Sequence, residues 1–149
     1  MRTEVRTEML VRTVGSVFVT MLGLDVSPSE IPWRPAGDLL TSYVQLTGDW
    51  NGAVLLECTR RQACRFAGLI LATDPPKVVD DDVRDVLGEL ANVIGGNMKC
   101  GMSTAARLSM PTVIEGGDDE LLLFGSKARE RLTFQSSEGH FWVTILIAR

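Results

Sequence analysis

One stretch of the sequence, residues 80–102, constrains the fold more than any other because it combines a helical period with two faces of different composition. At about 100° per residue, its apolar residues gather on one side of a helix and predict a core stripe. The members of this core stripe are Val83, Val86, Leu87, Leu90, Ile94 and Met98. Three consecutive aspartates open the stretch, where the positive end of the helix dipole favours anions. The stretch therefore predicts a long helix with one buried side.

The opposite side of this helix carries a polar stripe whose residues recur at steps of four and three. They are Asp85, Glu89, Asn92, Gly96 and Lys99. Asn92 is a poor helix former, and Gly95 and Gly96 each cost about 1 kcal/mol relative to Ala inside a helix. Two explanations are open at this point. Either a neighbouring helix packs closely on the glycines, or another molecule approaches this face and Asn92 projects toward it.

Composition narrows the classes of function. The 149 residues, 45% of them hydrophobic, fit one globular domain spanning 1–149. The net charge of −4 makes nucleic acid a poor candidate for a partner. No apolar run approaches the roughly 18 residues that span a bilayer, and the N-terminal residues lack the apolar core of a signal peptide. We therefore expect a cytoplasmic protein with neither a nucleic-acid nor a membrane partner.

Cysteine and histidine are too sparse for most metal or triad chemistry. The three cysteines, Cys58, Cys64 and Cys100, lack C-x-x-C spacing, and their odd number does not suggest a disulfide framework. The single histidine, His140, excludes most histidine-based metal sites and leaves little room for a Ser-His-Asp arrangement. We therefore expect this chain to bind no metal of its own.

The first half of the chain predicts a helix followed by a hairpin. The helix spans Thr3–Leu22 and ends at Gly23, which fits a helix stop. Its apolar face comprises Val5, Met9, Val14, Val17, Phe18, Met21 and Leu22. Leu39–Leu46 and Gly52–Glu57 are the predicted hairpin strands, joined through an Asn-Gly pair that favours positive φ. Trp50 lies in this turn, where it either anchors a partner or folds back on the sheet.

The second half predicts two helices and then several strands. Thr59 is a plausible N-cap for a helix that carries Arg60, Arg61 and Arg65, the one dense basic patch of the sequence. Such a patch either meets an acidic partner or is a solvated face. The helix of residues 80–102 follows, and then the predicted strands. These are Thr112–Glu115, Leu121–Phe124, Arg131–Gln135 and Phe141–Ile147.

This element order predicts an α+β fold. We expect an antiparallel sheet of about five or six strands with two long helices, Thr3–Leu22 and Asp80–Met102, packed on one face. The polar stripe of the second long helix would then face solvent.

The run Asp85-x-x-x-Glu89-x-x-Asn92 resembles the signature helix of the CheX/CheC/FliY family of chemotaxis phosphatases, written [D/S]-x-x-x-E-x-x-N. Three further features resemble CheX-type members: G-G-N-M-K at 95–99, the glycine and leucine spacing of 48–56, and P-T-V-I-x-G at 111–116. No asparagine precedes Asn51, so the first helix has no second E-x-x-N motif. This is similar to CheX, with one site per chain, rather than CheC, which typically has two.

The resemblance implies a fold and an activity. The fold is the sheet with two long helices described above, and CheX-like proteins dimerise through their sheets. The activity is hydrolysis of the aspartyl phosphate of a response regulator such as phosphorylated CheY, which supplies its own Mg²⁺. Asn92 would orient the attacking water, and Glu89 would pair with a lysine of the regulator. Asp85, Gly96 and Lys99 would contribute to binding this substrate.

Two other interpretations of the sequence stay open. The chain could be a binding module that docks a response regulator without turnover. It could also be a structural homodimer whose polar helix face is only a surface. The intact Glu89 and Asn92 favour the phosphatase, since a degenerate pair would be expected in a binding module.

Overall fold

In the computed structural model, which describes residues 3–49, 51–102, 105–116 and 126–148, three helices pack on one face of an antiparallel sheet. The helices are α1 (Thr3–Leu22), α2 (Arg60–Leu71) and α3 (Asp81–Gly101). The strands are β1 (Ser27–Pro28), β2 (Leu39–Gly48), β3 (Gly52–Thr59), β4 (Ala106–Leu108), β5 (Thr112–Glu115), β6 (Ser126–Ser136) and β7 (Gly139–Ala148). The predicted α+β class and the two long helices are confirmed, and the short β1 and β4 bring the described strands to seven.

The sheet has the order β1-β6-β7-β3-β2-β4, and β5 also pairs with β2. Every pairing is antiparallel. The two predicted hairpins therefore sit side by side, because β7 of the second pairs with β3 of the first. The predicted strand Leu121–Phe124 and the predicted turn residue Trp50 lie outside the described residues.

Alternate residues of the central strands face the helices and form one core. Phe141 of β7 stacks on Phe18 of α1 with ring centroids 4.8 Å apart, and Phe66 of α2 meets both rings edge-on. Val5 was expected on the buried face of α1 but is 46% exposed. It lies nine positions before Val14 and is therefore about 180° around the helix from it.

Glycines and a capping residue mark the end of α1, the start of α2 and the turn of the first hairpin. Gly23 has φ +65°, and its N–H donates to the Val19 carbonyl at 3.0 Å, which confirms the predicted helix stop. Thr59 caps α2 as predicted. In the hairpin, Gly48 rather than the Asn-Gly pair has positive φ, at +138°, and its N–H donates to Asn51 Oδ1. A side chain on Gly48 would meet the Ala105 carbonyl oxygen, so this turn depends on Gly48.

No helix in the described ranges is long and apolar enough to cross a bilayer.

Candidate functional site

Helix α3 lies across the sheet with its core stripe buried, as predicted. Every member of the core stripe is 6% exposed or less. Asp80 is the N-cap residue, and its carboxylate accepts a hydrogen bond from the Val83 N–H at 3.0 Å. The helix therefore begins within one residue of its predicted start.

Three polar contacts fix α3 to the sheet. The buried Ser42 hydroxyl of β2 donates to the Leu87 carbonyl of α3 at 2.7 Å. Arg84, in the first turns of α3, donates to Glu115 of β5 at 3.2 Å and to the Val113 carbonyl at 3.4 Å. A site built on such an element is held more rigidly than one carried by a loop.

The two adjacent glycines of α3 have different environments. A Cβ atom on Gly95 would overlap Cγ2 of Val44 and would lie 3.3 Å from Cδ1 of Leu108. Close packing therefore explains Gly95, although the neighbour is the sheet rather than a helix. A Cβ atom on Gly96 would meet only Leu108, at the ordinary contact distance of 3.8 Å. Internal packing does not require a glycine at 96.

This difference predicts opposite effects of two neighbouring substitutions on the free energy of unfolding. Gly95→Ala should lower it by about 1–2 kcal/mol, because overpacking against the stiff, buried Val44 exceeds the gain in helix propensity. Gly96→Ala should raise it by about 0.5–1 kcal/mol, because only the propensity changes. Urea unfolding of both variants beside the wild type checks this. Equal shifts for the two variants would contradict it.

The polar stripe is presented outward. Asp85 and Glu89 are exposed, and Asn92, Gly96 and Lys99 are half-buried. Among the described residues, the side chains of Asp85, Glu89 and Asn92 have no hydrogen-bond or ion-pair partner. The structure thus places the five predicted site residues on one helix face, with an amide and two carboxylates left for contacts with another molecule.

A groove between α3 and residues 111–113 lies beside Asp85 and Glu89, at the N-terminal part of this stripe, and was not predicted from the sequence. Asp85 and Glu89 form one wall, together with Arg84. Pro111 and Val113 form the other wall. The buried Gly88 lies at the base, where a Cβ atom would be 3.5 Å from the Pro111 ring, an ordinary contact distance. The signals in the sequence were the glycine inside the helix and the proline of the P-T-V-I-x-G run.

Two ion pairs that share Glu115 connect α3 to α2. Arg60 bonds the carboxylate of Glu115 at 2.7 Å, and Arg84 bonds the same oxygen at 3.2 Å. The hydrogen bond from Arg60 lowers the pKa of the Glu115 carboxyl, and the charge of the same guanidinium adds to this effect. Arg65 pairs with Glu138 at 2.8 Å, whereas Arg61 is exposed. The predicted basic patch is therefore partly paired and lies next to α3.

Cys58, Cys64 and His140 lie outside α3, whereas the exposed Cys100 belongs to α3 and directly follows Lys99 of the polar stripe. Cys58 and Cys64 are buried, and burial raises the pKa of both thiols, so they stay protonated at neutral pH. His140 stacks beside Trp33, which also meets Trp142 edge-on. Within the described ranges, no group of three or more His, Cys, Asp or Glu side chains is placed to hold a metal ion.

Comparison with known proteins gives a family and a fold. The family described as "Chemotaxis phosphatase CheX" matches residues 40–135. Similar solved structures include chemotaxis protein CheX from Vibrio vulnificus (TM-score 0.76, 18% identity, 95% of each chain covered) and a CheC-like superfamily protein from Shewanella sp. PV-4 (TM-score 0.77, 16% identity, 100% of each chain covered). A third is the CheX-CheY-BeF3-Mg complex from Borrelia burgdorferi (TM-score 0.73, 18% identity, 96% of this chain and 97% of that one). No curated protein matches the sequence at a significant level.

Proposed function

Because the chain belongs to the CheX family of chemotaxis phosphatases, we propose that it hydrolyses the aspartyl phosphate of a CheY-like response regulator, in chemotaxis or another two-component pathway of the cytoplasm. The observation that carries the proposal is the pair Glu89 and Asn92. The two side chains are three residues apart on the outer face of α3, and neither has a partner among the described residues. The CheX structure from Borrelia burgdorferi contains CheY, which supports a CheY-like partner.

The proposed reaction is hydrolysis of an acyl phosphate by water. The water oxygen forms a bond to phosphorus in line with the bond between phosphorus and the aspartate oxygen. That second bond breaks, its electron pair stays on the regulator's carboxylate, and the protons of the water leave with inorganic phosphate. An acyl phosphate is already reactive, so positioning and charge stabilisation are the main needs.

The side-chain types at the site suit this task. The Asn92 amide has a carbonyl that can accept from the attacking water and an NH₂ group that can donate to a phosphoryl oxygen. Glu89, a turn earlier, is an exposed carboxylate that can pair with the regulator's lysine through a charge-assisted hydrogen bond. The amide would orient the water, and the carboxylate would hold the two proteins in the productive pose.

Three further residues of the stripe would shape the contact. Asp85 lies one turn before Glu89 and would add a docking contact. Gly96, which internal packing does not need, would let the regulator approach the helix closely. Lys99, near the end of the stripe, would contact the substrate. In this proposal the Mg²⁺ is held by the regulator, where it neutralises phosphoryl charge.

The direct test uses purified protein and a CheY-like regulator phosphorylated with acetyl phosphate. After the donor is removed, the loss of the phosphorylated form is followed with and without this protein. Accelerated loss would support the phosphatase. Binding without acceleration would show a docking module instead, and the absence of both would leave the polar face as surface only.

We further propose that two chains pair through their sheets. β1 pairs with β6 at Phe134 and Gln135, and the Ser29 N–H donates to the Thr133 carbonyl at 2.8 Å; along the rest of β6, no described strand pairs with its outer side. An uncovered strand edge is a hazard that symmetric pairing removes. Light scattering at micromolar concentration should therefore give about twice the chain mass of 16.3 kDa. A mass near that of one chain would refute the dimer. It would favour a monomer in which β7 is already central in the sheet, between β6 and β3, and needs no partner chain.

A further inference from the structure

We propose that a basic groove beside α2 docks an acidic surface of the same response regulator and draws it toward α3. The inference rests on the proposed function. Arg60, Arg61, Arg65 and Lys77 line this groove, which we call the arginine groove. Its remaining lining comprises Cys64, Pro75, Pro76, Val78 and Val79.

The placement of arginines in α2 conflicts with the preference of a helix. Thr59 is the N-cap, so Arg60 and Arg61 occupy the first two helical positions, and no acidic residue lies in the first turn. The N-terminal end of a helix carries partial positive charge and favours Asp and Glu, as at the start of α3. Positions that break a local rule without a compensating contact often mark function. Arg60 forms an ion pair with Glu115, which compensates for its unfavourable position, whereas the exposed Arg61 has no ion pair among the described residues.

The composition of the arginine groove selects an acidic partner. Four cations line it, and none of its lining residues within the described ranges is a carboxylate. Arg60 and Arg65 are paired with Glu115 and Glu138 outside the lining, whereas Arg61 and Lys77 have no ion pair among the described residues. Asp80 follows Val79 directly, but its carboxylate caps α3 through the Val83 N–H. The lining also includes apolar residues, and Val78 is 68% exposed. Such a surface fits acidic side chains interspersed with apolar ones, as on a folded protein, rather than a cationic or neutral ligand.

An ion-pair bridge links the arginine groove to the site. Arg60 lines the arginine groove, and Glu115 joins Arg60 to Arg84 through one carboxylate oxygen. Arg84 also lines the groove that contains Asp85 and Glu89. Along α3, Arg84 precedes Asn92 by eight residues, or roughly 12 Å. A standard interface of about 800 Å² per partner has a radius of roughly 16 Å, so a regulator centred on Asn92 would cover Arg84, and the arginine groove begins at Arg60 on the other side of Glu115.

A basic rim would reduce the electrostatic repulsion between this chain and the regulator. This chain has a net charge of −4, and its site face presents Asp85 and Glu89. The substrate is a phosphoryl group with a bound divalent cation, and such a cation is held by carboxylates. Two acidic surfaces repel each other during approach. A basic rim offsets this repulsion and fixes the orientation, because charges at a rim mainly change association rate and salt dependence.

The test compares Arg61→Glu with Arg12→Glu, which makes the same charge change at an exposed arginine of α1. Binding and turnover of the acetyl-phosphate-treated regulator are measured at about 0.01 M and 0.5 M salt, where screening is weak and strong respectively. At low salt, Arg61→Glu should weaken binding and lower kcat/KM by about tenfold or more relative to Arg12→Glu. The loss should fall on KM, and the difference between the variants should largely vanish at high salt. Thermal unfolding should show that Arg61→Glu is at least as stable as the wild type, since the helix dipole favours Glu there.

The outcomes separate this inference from the phosphatase proposal. Equal binding by the two variants at low salt would refute docking of the regulator on the arginine groove, whatever the turnover. A specific loss of binding by Arg61→Glu in a protein without turnover would support the groove and refute the phosphatase. A loss that persists at high salt would overturn electrostatic docking. Arg61→Gln, which removes the charge without reversing it, should show a smaller loss in the same direction.

Discussion

Asn92→Ala is expected to lower the rate of regulator dephosphorylation by a factor on the order of 10²–10³, the cost of removing one preorganised polar group from a transition state. The amide of Asn92 is the group on the stripe that can both accept from water and donate to phosphate. Without it, water would still reach the phosphorus, but it would not be oriented. Binding of the regulator should change much less than turnover, because the charged contacts remain.

The fold of the Asn92→Ala variant should stay intact, and its melting temperature should hold or rise slightly. Asn92 is half-buried without a partner in the described part of the chain, and Ala is the better helix former. Asn97→Ala is the matched control, since Asn97 is an exposed asparagine of the same helix outside the stripe. The control should keep wild-type turnover. Wild-type turnover in Asn92→Ala would exclude the proposed role of this amide.

The elements with a strong local period were predictable from the sequence. α1 has its predicted bounds, and α3 begins and ends within one residue of the prediction, because caps and an apolar stripe of 3.6-residue period mark both. β5 also matches its predicted range. By contrast, β1 has two residues and β4 has three. Such strands are too short to show alternation, and they form only because β6 and β2 offer them an edge.

The candidate site likewise has one part that the sequence predicts and another that it does not. The polar stripe follows from helix geometry within one segment, so the sequence places its five residues on one face. The groove beside it needs β5 and the preceding Pro111, which contacts Gly88 across more than twenty positions of sequence. The bridge from Arg60 through Glu115 to Arg84 likewise joins three elements. Contacts over such separations depend on how the helices pack on the sheet, which the periodicity of one segment does not show.

The buried ion pairs are a further feature that pattern analysis does not reach. Arg6 of α1 is buried and bonds Glu130 of β6, and Glu57, which is fully buried, bonds Arg131. In the sequence these residues look like ordinary surface charges. Their burial follows from the meeting of α1 with β6 and of β3 with β6 across β7. A charged residue in the sequence therefore does not by itself indicate an exposed side chain, because its ion-pair partner can lie more than 70 positions away.

Glu89→Ala is expected to lower kcat/KM for the phosphorylated regulator by about 10- to 100-fold, the range for losing one hydrogen bond between charged groups. Unlike Asn92→Ala, it should weaken binding as well as turnover, because the carboxylate holds the regulator in place. Glu89→Gln should retain part of the hydrogen bonding and lose the charge, so its defect should be intermediate. Glu8→Ala, at an exposed glutamate of α1, is the control and should resemble the wild type.

Salt distinguishes the role of Glu89 from that of Arg61. A contact made directly with the regulator's lysine is desolvated in the complex and is screened less than a charge at the rim. Raising the salt concentration from about 0.01 M to 0.5 M should therefore shrink the defect of Glu89→Ala only in part, whereas that of Arg61→Glu should nearly vanish. Binding titrations of both variants at the two salt concentrations measure this. Unchanged binding by Glu89→Ala at low salt would remove Glu89 from the contact and leave Asn92 as the functional residue of the pair.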